Sequence, residues 1–394
     1  MGYNVPNRRN RIAPAAGSSL KWRQLLAGRC GIASARSGVG QSRIDMGRLC
    51  EGELAIPDRS MQRRLLDGLD AAHRRVQALP RAVPGYLQAL RRRSSRFPAI
   101  VMYHGLVDHP LEVYNWCQLP VSRFEEQICF LFKYYHVIPL MELVDRLQTR
   151  TAIADNAVAL TFDDGFRSVY KMAHPILSRH NLPYTVFLVT GLVGTGQPAW
   201  PDQLYNVIAN TPRDHLALAG REWVLSDSEH RAAAYREISS WLKTLRPDGR
   251  AAFLDEIRGQ LGDIPVIASS ALSTLSWHEV EELVGTGLVA FGSHSHSHPI
   301  LSGCDARTQE EELRTSKELL QEHVGQVDAF AYPNGTRRDF TQITKTLLMR
   351  LGYECGLTTI PGLNRLGTDV YELRRVNVGA DTTLAGFELR MLGL

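Results

Sequence analysis

AVALTFDDG, residues 157–165, decides the fold. Six residues, Ala157 to Phe162, are apolar except for the β-branched Thr161, and two carboxylates and a glycine follow at once. Such a run reads as a strand buried on both faces, which belongs in a parallel sheet covered by helices. The strand would deliver Asp163 and Asp164 at its C-terminal end. Adjacent carboxylates there diverge, so one can hold a cation while the other handles protons. Taken alone, Asp-Asp-Gly is equally a good turn sequence.

Working outward, the same alternation recurs. Upstream, residues 99–103 form a short apolar strand ending at His104-Gly105. A helix is predicted over 122–135, with Ser122 and Glu125 spaced as a capping box. A short strand at 137–139 and a helix at 141–147 follow. Downstream come a helix to about His180, a strand at 184–190 and glycine punctuation at Gly191, Gly194 and Gly196. After residue 275 the pattern resumes with helices at 277–284, 307–323 and 340–351 and strands at 288–292, 329–332 and 354–357. Strands alternating with helices predict an α/β fold with a largely parallel sheet, open or closed. Residues 197–275 read as a polar, mostly helical insertion, whose Trp200, Trp223 and Trp241 are expected to pack it internally; Trp200 and Asp202 stand at its start, where they could shape substrate access.

Two further clusters fall just after strands, where parallel α/β folds build their sites. The first, GSHSHSHP at 292–299, alternates three histidines. A helical turn would put His294 and His298 on one face with His296 turned away; an extended chain would align all three. The second, FAYPNG at 330–335, is by itself a strand and a turn. One carboxylate and two histidines make a metal triad that leaves positions open for water and substrate. Such a metal acidifies its water, and a neighbouring carboxylate can take the proton.

TFDDG at 161–165, the H-S-x-x-H pattern formed by His294, Ser295 and His298, and FAYPNG occur in an order that resembles the polysaccharide deacetylase family, the NodB-homology domain of carbohydrate esterase family 4. AIVMYHGL at 99–106 and LRRVNV at 373–378 are similar to flanking features of one bacterial branch. The resemblance spans about 98–378. It implies a distorted, incomplete (β/α) barrel and a metal-dependent hydrolase that removes acetyl groups from N-acetylated sugars of a glycan or glycan precursor. It implies a divalent metal, usually zinc, on Asp164, His294 and His298, with His296 in a variable slot. Asp163 would be the general base, and Tyr332, Pro333 and Asn334 would line the sugar groove, the Tyr332 backbone amide facing the oxyanion. Two departures stand out: Ala331 replaces a frequent arginine, and no histidine follows His323. By the same resemblance His104 would serve as the acid, and Arg375 would stand at the substrate site or orient Asp163. The missing arginine and late histidine also suggest an alternative, a glycan-binding protein that has lost catalysis; an amidase acting on a non-sugar amide is the other.

Charge separates the N-terminal arm, residues 1–97, from the domain at 98–394. Residues 1–98 carry 19 Lys and Arg against 6 Asp and Glu, the rest of the chain 26 against 35. The arm is poor in apolar periodicity before residue 61 and reads as largely unstructured, with helical rhythm over 61–93. It could rest on an anionic membrane face; no nucleic-acid partner is expected. No apolar run is long enough to span a bilayer and no signal-peptide core is visible, so a cytoplasmic location, peripheral at the inner membrane, is expected. The six scattered cysteines read as thiols rather than a disulfide framework.

Overall fold

The structure, a computed structural model, describes residues 94–266 and 271–394. The arm's expected helix and its membrane role lie outside the described residues. Seven strands build the domain: β1 Ala99–Tyr103, β2 Ala157–Phe162, β3 Tyr184–Leu188, β4 Val289–Ser293, β5 Ala329–Ala331, β6 Cys355–Pro361 and β7 Leu373–Asn377. Each pairs in parallel with the next, and β1 pairs with both β2 and β7, which closes the sheet into a barrel. Registers such as Tyr103↔Phe162 and Met102↔Asn377 bring the ends of β2 and β7 to either side of the end of β1. The expected barrel is thus present with seven strands rather than eight. A two-residue strand, His136–Val137, pairs with the start of β2, whose end pairs with β3.

Alternate strand residues feed two apolar layers, as the two-residue period requires. Val101, Tyr103, Leu160, Phe162, Val186 and Phe291 pack with Phe124, Ile128, Leu283, Leu313 and Leu347 from helices. Ile100, Ala159, Phe187, Ala329 and Leu357 form the other layer with Leu143 and Val144. Gly292 is required there: a Cβ would meet the Phe187 ring at 2.4 Å.

Most expected elements stand within two residues of their predicted ends. Local chemistry explains the exceptions. The strand Gln118–Pro120 runs straight into the helix Val121–Tyr134, whose cap is Pro120, so Ser122 lies inside the first turn and makes no capping box. Capping boxes occur instead at Ser276 and Glu279, before the helix Trp277–Gly285, and at Thr341 and Thr344, before the helix Gln342–Arg350. The helix after β2 begins with a π turn, Val169–Ala173.

The insertion is more mixed than expected. Its helices Trp200–Asn210, Ser228–Leu242 and Pro247–Leu261 are joined by an antiparallel hairpin of His215–Leu218 and Arg221–Val224. They enclose a separate core around Leu204, Ile208, Leu218, Ile238, Leu242 and Ile257. Trp223 is buried in it, and Trp200 and Trp241 pack against it, as the sequence suggested. The cysteines among the described residues, Cys117, Cys129, Cys304 and Cys355, are free thiols. No helix among the described residues is long and apolar enough to cross a membrane.

Candidate active site

The strand ends β1, β2 and β4 converge, and backbone hydrogen bonds extend the sheet just past them. The Asp163 N–H donates to Tyr103 at 3.0 Å and the His294 N–H to Leu188 at 2.9 Å. Beyond these anchors the chain twists into conformations that favour glycine. Asp164, Ser295, His298 and Asn334 all have φ between 61° and 68°. Left-handed backbone at a histidine or serine is costly and persists where the surroundings impose it. Ser295 holds its own turn by accepting the His298 N–H on its hydroxyl at 3.0 Å. Glu312, from the helix Ala306–Val324, accepts the N–H groups of His296 and Ser297 at 2.9 and 2.8 Å.

These turns bring Asp164, His294 and His298 together. Asp164 Oδ1 lies 3.4 Å from Nε2 of each histidine. His296 faces away, its Nδ1 3.1 Å from the Thr190 hydroxyl. His294 Nδ1 donates to the Ala331 carbonyl at 2.7 Å, which leaves a lone pair on Nε2. Asp164 Oδ1 is buried and has no hydrogen-bond partner. A tetrahedral ion with bonds of about 2.0–2.1 Å separates its ligands by about 3.3–3.4 Å, so these three atoms fit such an ion. Burial pushes the His298 pKa down to about 3, so its imidazole is neutral as a ligand must be. Burial works to raise Asp164, but the surrounding histidines outweigh it and keep the carboxylate ionised.

Asp163 points the other way. Arg375, on β7, donates from Nη1 to Asp163 Oδ1 at 2.8 Å and from Nη2 to Oδ2 at 2.7 Å. Its Nε donates to the Thr358 carbonyl at 2.7 Å. Both partners are fully buried, Arg375 at 0% exposure and Asp163 at 1%. Burial alone would raise the Asp163 pKa; the guanidinium overrides it and holds the carboxyl below its usual range. Arg375 is thus buried against Asp163, which is the orienting place that the sequence reading gave as its alternative to a place at the substrate site.

The third motif serves mainly through its backbone. The Tyr332 ring is wholly buried, stacked on Phe340 at 4.2 Å, with its hydroxyl donating to Tyr371. Its N–H donates to Leu357 at 3.0 Å and is not available to an oxyanion. Pro333 is buried as well, and the half-buried Asn334 donates its amide to Asp339 at 3.0 Å. The Tyr332 and Pro333 side chains are thus buried, and the motif sets the Ala331 carbonyl on His294.

His104 follows β1 and is nearly buried, with Nε2 4.0 Å from Asp164 Oδ2. Burial lowers its pKa against the opposing pull of Asp164. Its Nδ1 has no partner. Trp116 meets it edge-on, ring centroids 4.9 Å apart. The insertion also reaches this rim: the Leu275 N–H donates to Gly165 at 3.0 Å, one residue from Asp164. Sequence reading missed Glu312, Thr358 and the Ala331 carbonyl, for which only their place in the fold gives a signal.

A family profile described as polysaccharide deacetylase matches residues 151–356, more than half of the chain. The YxkH protein of Bacillus subtilis (strain 168), which carries a polysaccharide deacetylase name, is 20% identical over 73% of this chain and 74% of its own. Among solved structures, the Streptococcus pyogenes deacetylase PplD in complex with acetate superposes with a TM-score of 0.51 at 19% identity, over 75% of this chain and 98% of that one. The polysaccharide deacetylase BC0361 from Bacillus cereus gives 0.50 at 18% identity, over 75% and 69%. At those identities the structures speak to the shared barrel, and the profile match speaks to kinship. The chain belongs to the polysaccharide deacetylase family, hydrolases that act on carbon–nitrogen bonds to de-N-acetylate glycans.

Proposed function

We propose that this chain is a divalent-metal-dependent deacetylase of N-acetylated sugars, with Asp163 as the general base and zinc as the best-fitting ion. The observation that carries the reading is the pairing of two sites on adjacent residues. Asp164 lies with His294 and His298 in a group that could hold a metal ion, while Asp163 is gripped by Arg375 and kept out of it. Two imidazoles and one carboxylate with open positions suit zinc. When bound, such a cation supplies Lewis acidity and an acidified water.

The protein's own groups handle the protons and the geometry. Asp163 accepts the proton of the attacking water, and the bidentate guanidinium fixes the direction in which its remaining lone pairs point. His104 Nε2, beside Asp164 Oδ2, delivers a proton to the departing amine, so that acetate and a free amino sugar leave. The Tyr332 N–H is committed to Leu357 and Pro333 has none, so the next backbone donor for the oxyanion along this turn is Asn334, held at φ 65°.

Acetate release from N-acetylglucosamine oligosaccharides tests the reading. Activity should vanish on chelation, return with zinc, and be lost in Asp163→Asn while zinc still binds. Full activity in that variant would remove Asp163 as base, and activity unaffected by chelation would remove the metal.

A further inference from the structure

The insertion sends a cation toward the barrel mouth that neither the candidate metal group nor the general base uses. Lys243 is the C-cap of the helix Ser228–Leu242, a place where the helix dipole ordinarily accounts for a lysine. This one is half-buried and faces inward. Burial raises the pKa of Cys117 and Asp202 and lowers that of His298, and the Lys243 charge acts on all three. Burial also pulls Lys243 itself downward, against Cys117, Asp339 and Asp202. These neighbours stand after β1, after β4, after β5 and at the start of the insertion, so the ammonium lies among them over the strand ends.

The nearby carboxylates are nonetheless committed elsewhere. Asp202 Oδ1 accepts the Asn115 amide at 3.2 Å, and Asp339 Oδ2 accepts from Asn334 at 3.0 Å and from the Thr336 N–H at 2.7 Å. Among the described residues, none forms a hydrogen bond or ion pair with the Lys243 ammonium. A second unanswered donor stands on the same corner. Arg250, 4% exposed, lies over the Trp200 ring at 4.7 Å and donates to the Leu242 carbonyl at 3.1 Å and the Leu245 carbonyl at 3.0 Å. It thereby ties the residue before Lys243 to the start of the helix Trp200–Asn210. Trp200 Nε1 is buried and has no acceptor. A buried donor without a partner costs stability until a ligand answers it.

We propose that this corner, Lys243 with the Trp200 N–H, is a subsite for an anionic group, phosphate or carboxylate, carried on or next to the N-acetylated sugar. The proposal rests on the deacetylase reading above and narrows its substrate to acidic sugars. An ammonium is a compact charge that suits either anion, and the indole N–H supplies a directed second bond. Arg250 is a positioning residue that fixes the two donors relative to each other.

Acetate release from three probes tests it: N-acetylglucosamine, N-acetylglucosamine 1-phosphate, and the disaccharide of N-acetylglucosamine with glucuronic acid. Wild type should favour at least one acidic probe in kcat/KM, and the favoured one tells phosphate from carboxylate. Lys243→Gln should cut that preference about tenfold, the worth of one charged hydrogen bond, and Lys243→Arg should keep most of it. Trp200→Phe should lower it by a smaller factor; an unchanged preference there removes the indole from the subsite. Three outcomes overturn the proposal: no preference for either acidic probe, a preference that survives Lys243→Gln, or an equal loss on all three probes. Should Lys243→Gln fail to fold, the wild-type protein still decides. An acidic probe should slow reductive methylation of Lys243, read by peptide mass spectrometry, and N-acetylglucosamine should not; absence of protection refutes the subsite. A wild-type enzyme that releases no acetate from these probes or from N-acetylglucosamine oligosaccharides defeats the deacetylase reading, while the protection result still judges the anion subsite separately.

Discussion

The barrel and the insertion carry their polar groups in opposite ways. In the barrel, strands packed on both faces carry little charge along their length, so the reactive groups stand beyond the ends of β1, β2 and β4; the exception is the guanidinium of Arg375, sealed in the middle of β7 against Asp163. In the insertion, three helices and a hairpin enclose a core of their own, and its contribution to the rim is a few attachments: Leu275 on Gly165 and Asp202 on Asn115. The difference teaches where function is fragile. The barrel rim depends on charges that are costly unless paired, whereas the insertion sets the wall around them through packing.

The largest expected effect breaks the barrel side of that contrast. Arg375→Ala leaves the Asp163 carboxylate buried without a partner, which should cost about 3–5 kcal/mol in denaturant unfolding and abolish acetate release. Arg375→Lys should restore part of the stability and little of the activity, because an ammonium cannot grip both oxygens. Wild-type activity in Arg375→Lys would show that bidentate orientation is unnecessary.

A lesion of similar size in the insertion should behave differently. Ile257, 1% exposed in the insertion core, becomes a cavity on Ile257→Ala, at a cost of about 2–5 kcal/mol. Since none of the catalytic groups rests on that core, the expected signature at a temperature below melting is a raised KM with kcat retained. A proportionate fall in kcat would collapse the distinction between the two regions.

The smallest effect concerns the junction. Burial, followed by the negative charge of Asp164, raises the Asp202 pKa to about 7 from the ordinary 3.8. Between those values the folded state keeps a proton that the unfolded state releases, so metal-free stability should decline as pH rises through that window. Asp202→Asn removes the titration, so its stability relative to wild type should improve from pH 4 to pH 8 by on the order of 1–4 kcal/mol. A difference independent of pH would mean that Asp202 ionises normally in the folded protein.

Much of this site is legible in the chain because its signals are local. Apolar runs such as Ala157–Phe162 report burial directly, and the residue after a buried strand in an α/β fold falls at the functional end, which marks Asp163, Asp164 and His294. The spacing of His294 and His298 places them together if the loop turns, and the loop does turn. Local pattern misled where neighbouring structure overrode it. Ser122 matches a cap but is already inside a helix that Pro120 begins. The hairpin His215–Leu218 and Arg221–Val224 was missed although Leu216, Leu218 and Trp223 alternate around an Ala219-Gly220 turn.

By itself, the sequence determined the strand–helix alternation, the candidate metal-ligand residue types and the carboxylate pair, since each is written in consecutive residues and in the buried or turning character they impose. Only the tertiary structure decided that Arg375 grips Asp163, 212 positions away, because that contact exists when β1 pairs with β2 on one edge and β7 on the other. It also decided that the Ala331 carbonyl orients His294, that the Tyr332 ring belongs to the core, and that Trp116 stands fixed beside His104. These outcomes depend on which strands become neighbours and which backbone turns are forced into left-handed conformations, and no local run of residues encodes either.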